Sequence, residues 1–321
     1  MSTVGGPALL ALCCAVVVAC SAPHQGEDQR RLVHDYTDID RFGYVIANAF
    51  RATHPEYRLT EAGYAQVHRA DEMAIELRIE PALTSDIVGS AKAIFSVRQD
   101  GTSGRIYYTD TYNRTLVSVR DVVRQLDAKS PQLPVLTAAL SHLGRRDDKN
   151  VPSKKVVDDE LKRAGRAKEV TAVVELEDPL TASDIRSRGY LSLNNAVFLP
   201  ASSGGAPIAW DYYPTWFCST CGGDDRHMTS DFQTWVSFLQ PSDDAALRPL
   251  GLSLARLREA AHSGKIYGYV EYDANPDLLR ELLKKDYVKT MYLVRTRKYC
   301  MDSALGECVP GRWPKTDHLY G

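Results

Sequence analysis

The sequence predicts an α+β fold of two domains, in which small antiparallel sheets pack against helices. Met73, Ile75, Leu77 and Ile79 alternate with polar residues, which is typical of a strand with one buried face. Two later segments each follow the order strand, proline-containing turn, helix, strand. About 300 residues follow the N-terminal apolar segment, and that length is typical of two domains.

The first predicted domain, residues 32–150, mixes helices with a small sheet. From Asp40 onward apolar residues recur every three or four positions until Pro55, so this segment is predicted to be a helix. A Gly-containing turn at 99–104 lies between two strand-like segments and predicts a hairpin. The remaining predicted elements are a short helix at 60–68, the hairpin strands at 91–98 and 105–109, and helices at 116–126 and 134–143.

A polar stretch at 144–152 separates the two predicted domains. It contains Gly144 and Pro152, and polar segments with Gly and Pro commonly connect domains. Residues 151–168 are predicted to form a helical connector whose many charged side chains face solvent. The second domain then covers 169–299, and residues 300–321 form a tail.

The second domain contains an internal repeat. The first copy has Thr181 and Asp184 placed for a capping box, after Pro179, which is expected to end the preceding strand. The second copy has Asn275 as a helix cap and Pro276 at the first helical position. The predicted strands of the repeat are 170–176, 196–199, 266–272 and 288–294.

Two such βαβ units build a four-stranded antiparallel sheet with helices on one face, the ferredoxin-like arrangement. The alternative is two unrelated βαβ pieces in a larger sheet. An insertion lies between the two copies of the repeat. Within it, Ser230 is expected to cap one helix, and Ser253 begins another helix that Gly264 ends.

An aromatic cluster near the start of the insertion is the predicted binding surface. Its residues could stack against a sugar or a peptide. The alternative is that they cover the insertion's own small core. The cluster residues are Trp210, Tyr212, Tyr213 and Trp216.

The N-terminus resembles the signal of bacterial lipoproteins. The uncharged apolar run ends in Val17-Val18-Ala19-Cys20, which is similar to the lipobox, and a polar tether follows to Arg31. The resemblance implies a signal peptide at 1–19, lipidation of Cys20 with diacylglycerol acyl chains such as palmitate, and a tether at 20–31. The alternative is an ordinary cleaved signal in which Cys20 occurs by chance.

The composition excludes several classes of function. The 39 basic and 41 acidic residues give a net charge of −2, which is not the charge of a nucleic-acid-binding protein. No second long apolar run predicts a membrane span. Motifs of metalloproteases, nucleophile-elbow hydrolases and phosphate-binding loops are absent from the sequence, so no catalytic residue, metal or cofactor is predicted.

The four cysteines after Cys20 are expected to form two structural disulfides. Cys218 and Cys221 form a C-x-x-C pair, while Cys300 and Cys308 enclose a short loop. Oxidised cysteines are common in exported chains, and the acidic loop after Cys221 disfavours a reactive thiolate. The pairing of Cys300 with Cys308 is the preferred one, although either residue of the C-x-x-C pair could instead join the tail. A zinc site and a redox dithiol remain alternatives.

Several segments between residues 169 and 296 together form a recognisable pattern: Val173-Val174-Glu175-Leu176, Pro179-Leu180-Thr181, Trp210–Tyr213, Phe232–Leu239 and Ile266–Val270 with the helix and strand after it. This pattern resembles the extracytoplasmic regulatory domain at the C-terminus of some bacterial anti-sigma factors. The chain has neither a sigma-binding part nor a membrane span of that family. The resemblance therefore implies a sensing or binding module on the extracytoplasmic face.

The sequence thus predicts a lipid-anchored binding or sensor protein without catalytic activity, on the extracytoplasmic face of a bacterial membrane. Its expected partners are the membrane, through Cys20, and an unknown protein, peptide or glycan, with no nucleic acid. The alternative is an exported enzyme. Such an enzyme would be a thiol-disulfide oxidoreductase at Cys218 and Cys221, or a hydrolase with dispersed residues.

Overall fold

The computed structural model confirms the predicted α+β class. Its described residues are 38–62, 66–69, 72–83, 93–100, 105–110, 115–117, 132–145, 151–188, 193, 195–211, 227–300 and 310–312. Within these ranges two antiparallel sheets and eight α-helices occur. The elements are α1 (Asp38–Thr53), β1 (Tyr57–Ala62), β2 (Gln66–Arg69), β3 (Glu72–Pro81), β4 (Ala93–Asp100), β5 (Ile106–Asp110), β6 (Leu116–Val117), α2 (Leu133–His142), α3 (Lys154–Ala164), β7 (Lys168–Thr181), α4 (Ala182–Ser187), β8 (Asn195–Leu199), β9 (Ile208–Asp211), α5 (Met228–Phe238), α6 (Asp244–Leu247), α7 (Leu254–Ser263), β10 (Lys265–Ala274), α8 (Pro276–Leu283) and β11 (Val288–Lys298).

The first sheet has the strand order β1-β3-β4-β5-β6, and β2 also pairs with β3. The predicted strand at 73–79 and the predicted hairpin are confirmed as β3 and as the antiparallel pair β4–β5. The helix predicted at 60–68 is wrong, because β1 and β2 pair side by side with β3 and take their backbone hydrogen bonds from it. Residues 116–117, expected to begin a helix, instead pair with β5.

Helix α1 packs on the first sheet, as its apolar spacing predicts. Ile46 and Phe50 are fully buried together with Leu77 and Phe95 of the sheet. The rings of Phe50 and Phe95 lie 5.7 Å apart. Burial of large side chains of this kind stabilises a fold by about 1.5–3 kcal/mol each, so this face fixes α1 against β3 and β4.

The second sheet has the strand order β11-β7-β10-β8-β9, and every adjacent pair is antiparallel. Both predicted helix starts are confirmed: Thr181 and Asp184 form the capping box, and the Asn275 side chain accepts from the Asp277 N–H. The sequence predicted that Pro179 would end β7, but the strand continues past it to Thr181. The pairing of β7 with β10 is irregular between Glu175 and Leu180, which includes Pro179. The N–H that proline lacks is therefore not needed for a hydrogen bond between these strands.

The two faces of the second sheet are covered differently. One face contributes to the large core that also contains α1, α5, α7 and α8. The opposite face is covered by α2, whose Leu136 and Leu140 pack against Val173 and Val270. Gly268 permits this close packing, because a Cβ there would lie 2.6 Å from the backbone oxygen of Val174 and 2.9 Å from the side chain of Leu143.

The described part of the insertion contributes helices to the large core. The expected cap at Ser230 is wrong: α5 begins at Met228, and the Ser230 hydroxyl donates to the His227 carbonyl at 2.8 Å from within the first turn. The helix predicted from Ser253 to Gly264 is confirmed as α7, with Ser253 accepting from the Arg256 N–H. Polar side chains inside a first turn can bond backward in this way, which makes cap positions ambiguous by a few residues.

Candidate binding groove

A groove opens where β11 forms the edge of the second sheet. Side chains of a strand alternate between its faces: Tyr292 packs with α2, whereas Met291 packs with the core that includes Val157 and Leu161 of α3. The space between α2 and α3 along this edge has a volume of about 300 Å³. Its lining residues are Val135, Ala138, Ala139, His142, Pro152, Val157, Glu160, Met291, Tyr292 and Leu293.

The first wall of the groove is α2, which carries no Asp, Glu, Lys or Arg. Pro134 occupies its first turn, where the missing N–H costs nothing. Leu133, Leu136 and Leu140 are buried beneath the helix. The outer surface exposes Pro134, Val135 and Ala138 beside Thr137, and Val135 is 45% exposed. This wall is therefore a largely apolar surface open to solvent.

The second wall is α3, which is amphipathic in the usual way. Ser153 caps it by accepting from the Val156 N–H, and Val157 and Leu161 face the core. The exposed surface carries ion pairs, such as Lys155 Nζ to Asp159 Oδ2 at 2.9 Å. One apolar residue interrupts this charged surface, since Val156 is 49% exposed.

Asp158 joins α3 to α8. Its carboxylate bonds Lys162 at 2.5 Å within the helix and Arg280 of α8 at 2.8 Å. These two hydrogen bonds lower the pKa of Asp158 to about 2, and the one from Lys162 has the larger effect. Helix α3 is thus held to α8 by the ion pair between Asp158 and Arg280, in addition to the packing of its buried face.

The floor of the groove is Tyr292, whose position is fixed from below. Its ring stacks on His142 with 5.5 Å between ring centroids and 13° between planes. Its hydroxyl donates to Glu175 Oε2 at 2.8 Å. Glu175 is 1% exposed and accepts also from Lys289 Nζ at 2.9 Å and from the Gly144 N–H at 3.1 Å. A buried carboxylate with this many donors is well satisfied and holds the groove floor rigidly.

Among the described residues that line the groove, Glu160 is the one acidic residue, and none is Lys or Arg. Its contact with Arg163 is a loose one of 3.8 Å between two exposed side chains. Exposed pairs of this kind contribute about 0–1 kcal/mol. The groove therefore presents apolar walls, an aromatic floor and one available carboxylate. Such a surface is suited to holding a ligand by shape, apolar contact and one ionic contact.

The predicted aromatic cluster is placed only in part. Trp210 is 2% exposed, its ring lies 5.3 Å from that of Trp235, and Arg51 covers its other side at 4.2 Å. Trp210 is therefore packed inside the protein. Tyr212, Tyr213 and Trp216 lie outside the described residues, so their role in binding stays a prediction.

The predicted cysteine sites stay predictions. Cys20, Cys218, Cys221 and Cys308 lie outside the described residues. Cys300 follows β11, and its backbone forms a bridge with Pro310. Among the residues that the structure describes, no group of three or more His, Cys, Asp or Glu is placed to hold a metal ion. No helix within the same ranges is long and apolar enough to cross a membrane.

The sequence prediction missed the groove. Its walls are consecutive helices, but its floor comes from β11, far along the chain, and the Tyr292–Glu175 contact joins residues 117 positions apart. One signal was present in the sequence: a ten-residue helix without Asp, Glu, Lys or Arg, flanked by polar sequence. A helix without charge either is buried all round or offers an apolar surface to a partner.

No known protein family, curated protein or solved structure matches this chain. What the groove can bind is therefore argued from its own residues.

Proposed function

We propose that this chain is an extracytoplasmic, lipid-anchored binding or sensor protein that holds its ligand in the groove without transforming it. One observation carries the proposal. Most of the described residues that line the groove are apolar, and they include Val135, one of three large apolar residues that are prominently exposed in the described part of the chain. Apolar side chains concentrated around a concave surface mark interaction sites, whereas scattered ones do not.

The lipobox similarity supports the anchoring part of the proposal, and the resemblance to extracytoplasmic regulatory domains supports a sensing role. Cys20→Ala removes the thiol to which the lipid would be attached. We expect this variant to leave the membrane fraction or to remain unprocessed. If it stays membrane-bound at unchanged mass, the lipid anchor is wrong.

We also propose that the second sheet is the ferredoxin-like one predicted from the repeat. Support comes from the order β11-β7-β10-β8. Numbered within the repeat, this order is 4-1-3-2, the order that two interlocked βαβ units produce. Strand β9 is then an addition to the edge next to β8, and it belongs to the insertion.

The groove is tested with Nile red, a neutral dye whose fluorescence rises in apolar surroundings. We expect the wild type to bind the dye and Ala138→Trp, which fills the groove, to lose binding at least tenfold. Thr137→Trp is the matched control, because Thr137 is exposed on the same helix but does not line the groove. Equal binding by all three proteins, each checked for folding by thermal unfolding, would place the apolar site elsewhere and contradict the proposal.

A further inference from the structure

We infer that the segment after Arg312, residues 313–321, returns along β11 and places the side chain of Leu319 in the groove, so that a ligand must displace it. This inference rests on the proposed function, because it concerns the regulation of the same groove. Residues 313–321 themselves lie outside the described residues. Three observations support the inference: the direction of the tail at its last described residues, the length of chain that follows, and the order of apolar and polar residues in it.

The direction of the tail is the first observation. After β11 the chain comes back beside its own end: the Cys300 backbone forms an antiparallel bridge with Pro310, and the Gly311 N–H donates to the Tyr299 carbonyl at 3.0 Å. The tail at this point therefore runs opposite to β11, toward the groove. β7 pairs with one edge of β11, and the groove lies along the other edge. A chain that continues in this direction thus has the groove edge as its path.

The length of the tail is the second observation. Counting on from the bridge, Arg312 is level with Lys298, and Leu319, seven residues further, is level with Met291 of the groove lining. An extended chain and a strand both cover about 23 Å in seven residues. Pro314 also disfavours a helical backbone at the residue before it. The tail is therefore long enough to reach the groove.

The order of residues in the tail is the third observation. Polar residues at 315–318 separate Trp313 and Pro314 from Leu319 and Tyr320. The second apolar pair is the one that reaches the level of the groove, and most of the described lining residues are apolar. Apolar side chains there would leave water for an apolar surface.

The size of the groove suits a contact made by a few side chains. A volume of about 300 Å³ is at the small end of ligand sites in proteins. The contact is made with the walls on α2 and α3, and not with the backbone of β11, since Met291 is fully buried. It also requires no charged group in the groove. Because the tail belongs to the same chain, its effective concentration at the groove is on the order of millimolar, so even a weak contact is populated.

The inference is tested by ending the chain at Arg312 and titrating the full and shortened proteins with Nile red. If the tail fills the groove in about 70–90% of molecules, the full chain binds the dye about three- to tenfold more weakly than the shortened one. We therefore expect truncation to raise the dye affinity by that factor. Ala138→Trp should weaken binding at least tenfold in the shortened chain, and thermal unfolding checks that each protein is folded.

Leu319→Asn keeps the length of the tail and removes its apolar side chain. We expect a gain in dye affinity close to that of truncation. Thr316→Asn is the matched control, because it introduces the same side chain at a polar position of the tail, and it should bind the dye as the full chain does. Unchanged dye affinity in the shortened chain and in Leu319→Asn, or equal gains from the two substitutions, would overturn the inference.

The tail is also tested as a separate molecule. An acetylated peptide of residues 313–321, added at millimolar concentration because it is no longer tethered, should displace Nile red from the shortened chain. The same peptide with Leu319→Asn should be at least threefold less effective. High salt should change neither result, since the contact is apolar. Absence of displacement by the unmodified peptide would overturn the inference.

The remaining outcomes separate the inference from the proposed function. If dye binding depends on Ala138 but not on the tail, the tail inference is wrong and the binding groove remains. If dye binding does not depend on Ala138 in either protein, the apolar site lies elsewhere and both are wrong. If the full chain is a dimer in solution and the shortened chain is a monomer, the tail occupies the groove of a second copy, and the contact within one chain is overturned.

Discussion

Helices α2 and α3 flank the same edge strand, yet their outer surfaces differ completely. In α2 the buried side is apolar, and the exposed side combines Pro134, Val135 and Ala138 with Thr137 and carries no Asp, Glu, Lys or Arg. In α3 apolar residues are concentrated on the inner side, and Asp158, Asp159, Lys155 and Lys162 form ion pairs outside. The comparison shows that buried apolar residues hold both helices and that an ion pair with α8 additionally holds α3.

The difference also indicates which surface is for a partner. An isolated helix of ten or eleven residues is barely stable in water, so both helices depend on tertiary packing. Once packed, α3 exposes mainly charged side chains, which water solvates well. α2 leaves apolar area in contact with water, which is unfavourable unless something covers it. A ligand in the groove would cover the exposed apolar surface of α2 and so remove its unfavourable contact with water. The hydration of the charged side of α3 would change little.

The largest expected effect comes from the buried side of α2. Leu136 is fully buried against the second sheet. Leu136→Ala should lower the free energy of unfolding by about 3 kcal/mol, through lost apolar burial and the cavity left behind. Urea unfolding measures the loss, with Thr137→Ala on the exposed side expected to change stability by less than about 0.5 kcal/mol. Similar losses for the two variants would mean that α2 is not held by its buried side.

A smaller effect is expected at the link between α2 and β11. Glu175→Gln removes the negative charge beside Lys289 and replaces one acceptor oxygen by an NH2 group. Either the position of Oε1 no longer accepts from Lys289 and Gly144, or that of Oε2 no longer accepts from Tyr292. We expect a loss of about 2 kcal/mol, typical of a buried hydrogen bond to a charged group. The variant Lys289→Met should recover part of the loss in a double mutant. Additive losses of stability in the double mutant would show that Glu175 and Lys289 do not stabilise the protein through their mutual contact.

The sequence predicted the local features well and the long-range ones poorly. The caps at Thr181 and Asn275 were predictable because a cap satisfies backbone N–H groups within three residues of itself. The helix predicted at 60–68 failed because pairing with β3 decided the backbone there. The groove was not predictable: the repeat predicts that β7 and β11 share a sheet, but no local pattern indicates that Glu175 and Tyr292 meet at the groove floor.

The smallest effect is expected on the charged side of α3. Asp158 has a pKa of about 2 in the folded protein against 3.8 for the ordinary group. Its contribution to stability is therefore complete above pH 3.8 and is lost as the pH falls toward 2. Asp158→Asn should give a small loss at neutral pH that disappears near pH 2. Urea unfolding across this range measures it.

Asp286→Asn, at an exposed position in the turn after α8, is the control and should change stability little at any pH. High salt should reduce the effect of Asp158→Asn and leave that of Leu136→Ala unchanged, because screening acts on charge and not on burial. An effect of Asp158→Asn that persists at low pH would show that Asp158 acts by packing and not by its charge.

The position of β11 between two helices also controls what can reach its edge. Open strand edges are where folded proteins most readily join backbone to backbone and aggregate. Residues 291–293 of this strand lie in the groove between α2 and α3, and Met291 is fully buried. We therefore expect the two helices to hinder backbone pairing with a sheet of a neighbouring molecule at these residues, which would protect this part of the edge from aggregation.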